Sequence, residues 1–561
     1  VGVYGEQEHT VPPLPLPAAE TTADLPTLGQ NAAIRLFVAR AQAVAPSFSL
    51  RADNAAAVTE ICVRLEGLPL AIELAAARVR ALPPAQILAR LGDRLDFLQA
   101  QSRDGPSRQQ TLRATLEWSY ALLPPQEQKL LAWLSVFVGG ASLEAITAVW
   151  QPDETQPLDV VDGLITLVSH SLVQAQTDDE MPRYGLLETV REYGREQLAS
   201  RGESADVTQR YAKYFQQFVA TRGANVFSHP TVTAEMVLDY PNMRTALDGA
   251  LERRDLAMAF DMCKDLVRFW SINGAVREGW RFVQAVLALP LPTDAPRELQ
   301  LQQARLQELA AVLGGELDEH ALCRALLESA LTTARAFEDN MLSAYCLGSL
   351  ALYLDPINDY ERCLAMLNEA LVIYQRLENR GGMASIYIRL GSAFHDRQFY
   401  AEAQHHFEMA LALFRDIGHR RGMVAALNNL GELSISRGQD DAAEHYLSEA
   451  LAISYNLDNQ QTIIHNLLNL SHVMLRRFDQ AAARTYLGEA LQRADQGGYM
   501  ALAVYVIGYI GWLAEQEEQM EETARTLGAY DWLIAAHGQG QNAPTEIQRA
   551  SFVAARERAR A

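Results

Sequence analysis

The chain has 561 residues, more than one hydrophobic core can serve, so about three or four domains are expected. Its residues are 49% hydrophobic and 21% charged, with much Ala, Leu, Glu and Arg, which excludes a disordered chain and points to a mainly all-α protein. A formal net charge of −21 excludes a generally basic, phosphate-neutralising surface.

Cys62, Cys263, Cys323, Cys346 and Cys363 lack paired spacing, so neither a zinc site nor a disulfide framework is expected. The longest apolar run, Val504 to Ala514, is shorter than the roughly 20 residues of a membrane helix. Both features place the chain in the cytoplasm and away from the membrane. It opens on Val1, within a proline-rich stretch, and reads as a fragment of a longer protein.

In chain order, residues 1–30 form a linker with its prolines between Val11 and Pro17. Helices follow over Asn31–Ala45 and Asn54–Leu65. They lead into Gly67-Leu68-Pro69-Leu70, where a proline is set rigidly at a helix start, a place at which its missing N–H costs nothing. Taken alone, this is ordinary helix punctuation.

From Thr111 to Ile146, an apolar face of Leu112, Leu116, Trp118 and Leu122 precedes Pro124 and Pro125. A buried stripe of Leu130, Leu131, Leu134 and Phe137 comes next. A helix over Leu158–Ser169 then gives way to two short strands, Ser171–Gln176 and Arg183–Leu186, expected to form a wing. Glu188 and Arg191 open the next helix, where a solvated face is the simpler reading.

Beyond more helices in 205–295, Ala330, Ala370, Ala410, Ala450 and Ala490 recur every 40 residues, each followed by Leu. A second small position recurs with the same period at Ala351, Gly391, Gly431, Ser471 and Gly511. Tyr387, Leu390, Gly391 and Phe394, then Ala403, Phe407 and Ala410, predict a helical hairpin that stacks into a solenoid with a concave face. The pattern resembles the tetratricopeptide repeat, whose period is usually about 34. The extra residues are expected in the second helix and its turn.

The run from Gly67 to Pro84 resembles the GLPL segment of the NB-ARC class of signal-transduction ATPases. Thr111–Ile146 and Arg183–Leu198 look like the winged helix of its bacterial members, and Tyr240–Asp255 with Phe269–Trp280 is similar to their connecting helices. The resemblance implies a nucleotide lid in which Pro69 touches the base of ADP or ATP, with Gly67, Leu68 and Leu70 shaping the turn. It also implies a phosphate-sensing motif, but Leu186, Leu187 and Glu188 stand where Met-His-Asp is usual. That leaves Glu188 and Arg191 as switch contacts.

The expected organisation is therefore linker 1–30, helical lid 31–105, winged helix 106–204, connecting helices 205–295, repeats 296–536 and a helical tail 537–561. The only lysines, Lys129, Lys213 and Lys264, lie in no phosphate-binding loop, so this chain is expected neither to hydrolyse ATP nor to hold ADP or ATP without a separate nucleotide-binding domain. His405 and His406 are expected at the surface rather than on a metal, and no catalytic constellation or metal site is found. The function implied is the sensor part of a signal-transduction ATPase that regulates transcription. Its solenoid would bind a protein or small-molecule inducer on the concave face, and an oligomer on activation is left open. The alternatives are a repeat scaffold without nucleotide dependence and a DNA-binding winged-helix regulator, which the acidic balance disfavours.

Overall fold

The computed structural model describes residues 13–17, 25–91 without 47, 66 and 81, 112–150, 158–176, 182–223, 230–354, 359–537 without 458 and 498, and 546–560. The chain divides into two compact units, Val1–Arg222 with Pro230–Arg253, and Gly223–His229 with Arg254–Ala561. The helices expected over 205–295 are thus shared between the units.

The first unit begins with helices Ala32–Val44, Ala55–Arg64, Pro69–Ala77 and Pro84–Arg90. Asn31 starts the first of these, its side chain accepting the Ala33 and Ile34 N–H groups. Ile34, Phe37, Ile61, Leu65 and Ile72 are fully buried between the helices.

A winged helix follows. Helices Leu112–Ala121, Pro125–Leu134, Leu143–Val149 and Val160–Ser169 carry a three-stranded antiparallel sheet in the order β1-β3-β2, where β1 is Ala141–Ser142, β2 Gln174–Gln176 and β3 Arg183–Gly185. The expected two-stranded wing thus gains a third strand, too short to show alternation in sequence. Leu130, Leu131, Leu134 and Phe137 are buried as expected, but Trp118 and Leu122 are exposed, at 48% and 55%. Leu116 and Tyr120 take the buried stripe, and at about 100° per residue Trp118 lies more than half way round the helix from Leu116.

A buried polar network ties the wing to the helix Pro230–Glu252. Arg183 donates to Asp239 at 2.8 Å and to the Gly140 carbonyl at 2.9 Å. Asn242 donates to that carbonyl and to Asp239, and accepts the Val138 N–H at 2.7 Å. Tyr211 donates to the Asn242 carbonyl at 2.9 Å. Each partner is satisfied, the condition under which charge is tolerable in a core.

In the second unit, hairpin follows hairpin from Leu256 to His537. From Tyr360 to Gln516 every helix spans 17 residues, from Tyr360–Arg376 and Arg380–Asp396 to Gln480–Gln496 and Met500–Gln516. The two helices of each hairpin are therefore equal in length, and the second is not the longer of the pair.

Each intervening turn whose central residue is described puts that residue in the left-handed region, whether glycine (Gly418, Gly438) or not (Glu378, Gln398, Phe478). The next N–H returns to the helix, as in Phe399 to the Phe394 carbonyl at 2.9 Å. Asn379, His419, Asn459 and Asp479 then cap the following helix with their side chains.

The recurring alanines Ala330, Ala370, Ala410, Ala450 and Ala490 are completely buried. At Gly391 a Cβ would lie 2.5 Å from the Phe407 ring, so the two helices of that hairpin meet through the missing side chain. First helices of successive hairpins (Arg380–Asp396, Arg420–Ser436, Gln460–Arg476, Met500–Gln516) also pack on one another, more closely than second helices do. The array therefore curves toward its first helices, which line the inner face. Helix Glu546–Arg560 packs on Met500–Gln516 and Met520–His537, Phe552 meeting Tyr509 and Tyr530 edge-on at 5.0 and 5.4 Å.

Replacing Asn242 by Ala strands the Val138 N–H and part of the Asp239 shell, and is expected to lower unfolding free energy by about 2–4 kcal/mol in urea titration. A loss below about 0.5 kcal/mol would show that the network does not hold the wing. His472 tests the repeats. Burial, and secondarily Arg476, push its imidazole down to about 4. The unfolded chain takes up this proton near pH 6.5, so stability is complete above that value and falls as pH drops toward 4. The loss between pH 7 and 4.5 should be smaller by about 2 kcal/mol in His472→Asn.

Candidate functional site

In the first unit the GLPL turn is held by a backbone clamp. Gly67 has a φ of +69°, and a Cβ there would lie 2.2 Å from the Leu14 carbonyl oxygen. The Leu14 N–H donates to the Gly67 carbonyl at 3.0 Å, so the prolyl segment 13–17 lies along the turn. Leu68 is the cap residue, half-buried, and Pro69 is the first residue of its helix and exposed. Leu70 belongs to the same helical turn. The sequence thus folds locally as read, with glycine where only glycine fits and proline where no N–H is missed.

Glu188 and Arg191 stand on a separate element, the first turn of Glu188–Ser200. They are not a free solvated face. Arg191 donates to both Glu188 oxygens at 2.5 Å, and the arginine is only 13% exposed. Arg195, one turn on, donates to the Ser135 carbonyl at 3.3 Å, and burial, together with Arg191, pushes its guanidinium pKa down. A negative charge at a helix start is favoured by the dipole, and here it also serves as counter-charge to a partly buried arginine.

The second unit gathers ionisable and amide groups on its inner face. At one position of the period, Ser349, Arg389 and Asn469 each reach back to the preceding first helix, to Glu308 (3.0 Å), the Gly348 carbonyl and Glu432 (3.4 Å) respectively. Burial pushes the Glu308 carboxyl pKa up, with Ser349, Arg389 and Arg268 opposing it. Burial does the same at Glu432, opposed only by Asn469. Arg421 is held below the usual guanidinium range by burial and by Arg268. Such groups, half in water and half in protein, are suited to recognise a polar ligand.

None of these residues was singled out from the sequence. The available signal was a hydrogen-bonding residue two places before each small mark, at Ser349, Arg389, Asn429, Asn469 and Tyr509. His406, expected at the surface, is half-buried and stacks on Phe394 with ring centroids 5.2 Å apart.

Among the described residues, no helix is long and apolar enough to cross a membrane, and no group of three His, Cys, Asp or Glu residues is placed to hold a metal ion.

Comparison with known proteins identifies the modules. The family described as a winged helix-turn-helix domain matches residues 123–199, and the tetratricopeptide repeat family matches residues 382–456. Over 272 residues the chain is 39% identical to a Mycobacterium tuberculosis protein provisionally named an HTH-type transcriptional regulator, covering 48% of this chain and 31% of that protein. Over 218 residues it is 40% identical to an uncharacterized protein of the same organism, covering 39% and 52%. The chain thus spans about a third of the length of the first relative and about half of the second.

Among solved structures, a Pyrococcus horikoshii Signal Transduction ATPase with Numerous Domains with a tetratricopeptide repeat sensor aligns over 90% of this chain and 73% of its own, at 14% identity and a TM-score of 0.41. A Rap protein complexed with competence and sporulation factor aligns over 62% and 99%, at 13% identity and a TM-score of 0.41. The two family matches fall where the wing and the 40-residue hairpins stand, so residues 123–199 are similar to a winged helix-turn-helix domain and residues 382–456 to tetratricopeptide repeats.

Proposed function

We propose that this chain is the sensing and regulatory part of a cytoplasmic signal-transduction ATPase that controls transcription. Its repeats bind a peptide, protein or small-molecule inducer on the inner face. Binding shifts a nucleotide-dependent equilibrium in which the GLPL turn lids the base of ADP or ATP held by another domain. The observation that carries this reading is the order of parts: a clamped turn with Pro69 exposed at its helix start, a winged helix, then repeats with a charged inner face. Hydrolysis of ATP, where it occurs, belongs outside this chain. A ligand shifts such an equilibrium only as far as it binds the two states differently.

A second reading, direct DNA recognition, is favoured by the description of the matched family and the name of one relative. Against it stands the helix Val160–Ser169, which precedes the wing. It is capped by Asp159, carries Asp162 and no Lys or Arg, and exposes Val161 and Ile165. Such a helix repels phosphates and offers an apolar face to a protein.

Calorimetric titration of ADP into this chain and into the protein at its full natural length tests the proposal. Binding by the full-length protein alone is the expected result, with Pro69→Ala weakening it by about three- to tenfold through lost apolar contact. Binding by neither would leave a repeat scaffold without nucleotide dependence. Salt-sensitive, sequence-selective DNA binding by this chain would favour the second reading.

A further inference from the structure

Three successive first helices, Arg420–Ser436, Gln460–Arg476 and Met500–Gln516, bring an excess of acceptors to one end of the inner face. Asn428 and Glu432 lie one turn apart on the first of them, and His465, Asn469 and His472 share a face of the second at helical spacing. Glu432 is half-buried, yet the structure gives its carboxylate one hydrogen bond, from Asn469 at 3.4 Å, and no ion pair among the described residues. Nearby cations are engaged elsewhere. Arg476 holds the Ile435 carbonyl and Asp440, Arg477 holds Asp441 and Glu444, and Arg437 holds Gln404.

On the helices that carry Glu432 and its partner Asn469, the buried Asn428 Oδ1 and the Nε2 atoms of His465 and His472 have no hydrogen-bond partner. His472 lies edge-on to Trp512 at 5.2 Å and to Tyr509 at 6.0 Å. A desolvated carboxylate beside an unmet amide oxygen is costly unless a ligand brings donors and positive charge. Burial raises the proton affinity of Glu432, and a bound cation would reverse that shift.

We propose that this end of the inner face is a cation-recognition subsite that takes the side-chain ammonium or guanidinium group of a short peptide, with Glu432 as counter-charge and Asn428 and Asn469 as amide partners. The inference rests on the reading of the repeats as a ligand sensor and names the chemistry of that ligand.

A peptide is favoured over a polyamine by the other end of the same helix. Arg421 lies on the face of Glu432, eleven residues earlier, about 16 Å by helical rise. Arg268 stands close enough to it to disfavour its charge. A second cation would meet these arginines, whereas the carboxylate of an extended peptide of about five residues would reach them.

The test uses the whole chain and three N-acetylated pentapeptide pools with Arg, Gln or Glu fixed at the central position, together with spermidine, read by thermal shift and calorimetry. The Arg pool is expected to bind at least about tenfold more tightly than the Gln and Glu pools. In Glu432→Gln the preference should vanish while the melting temperature stays the same or rises, since an unpaired carboxylate has been removed. Arg421→Gln should weaken the Arg pool without abolishing its advantage over the Gln pool.

Equal binding of the Arg and Gln pools, or an Arg preference that survives Glu432→Gln, would overturn the subsite while leaving the repeats as a peptide sensor. Spermidine binding that is lost in Glu432→Gln, with no pool bound, would overturn the peptide assignment. Binding of neither pools nor spermidine would overturn the subsite, and the ADP titration would then judge the wider reading on its own.

Discussion

The three-residue turn between 17-residue helices governs the second unit. Each fully described turn commits one residue to the left-handed region and returns the next N–H to the helix just ended, and at Asn379, His419 and Asp479 that next residue also caps the helix about to start. The left-handed conformation costs a non-glycine residue roughly 1–2 kcal/mol, so it persists at Glu378, Gln398 and Phe478 because the surrounding hydrogen bonds and packing hold it. Equal helices with equal turns give a strict period, and that period brings equivalent side chains into line on the inner face.

From that alignment follows the division of labour within the repeat. Positions that touch the partner helix are small or apolar and completely buried, as at Ala410 and Phe407 at the contact of each hairpin. At the position that faces the preceding first helix, Ser349, Arg389 and Asn469 are polar and find hydrogen-bond partners one hairpin back, whereas Asn429 bonds the Ala425 carbonyl of its own helix. The first unit solves the same problem differently, with one dense network of Arg183, Asp239, Asn242 and Tyr211 in place of a repeated contact.

What was legible in the sequence was whatever recurs or punctuates. The alanines and small marks gave the hairpins, Asn31 and the prolines gave helix starts, and the GLPL turn proved to be the clamped glycine and initiating proline that its residue types imply. The exposed Trp118 was misread because it was grouped with Leu112 and Leu116, although at about 100° per residue it lies across the helix Leu112–Ala121 from the buried stripe of Leu116 and Tyr120. Strand β1 has two residues, too few for any pattern. The partnership of Arg183 with Asp239 joins residues far apart in the chain, a distance no local periodicity spans. The candidate inner-face residues were hidden for the opposite reason. Polar residues on a helix look solvated until curvature shows which side is enclosed.

The helix Glu546–Arg560 has one further consequence. Phe552 packs on Tyr509 and against the backbone at Gly508, where the first helix of another hairpin would otherwise stack. Helix Glu546–Arg560 thus packs on both helices of the preceding hairpin, as each earlier first helix does, and carries the stacking one helix further.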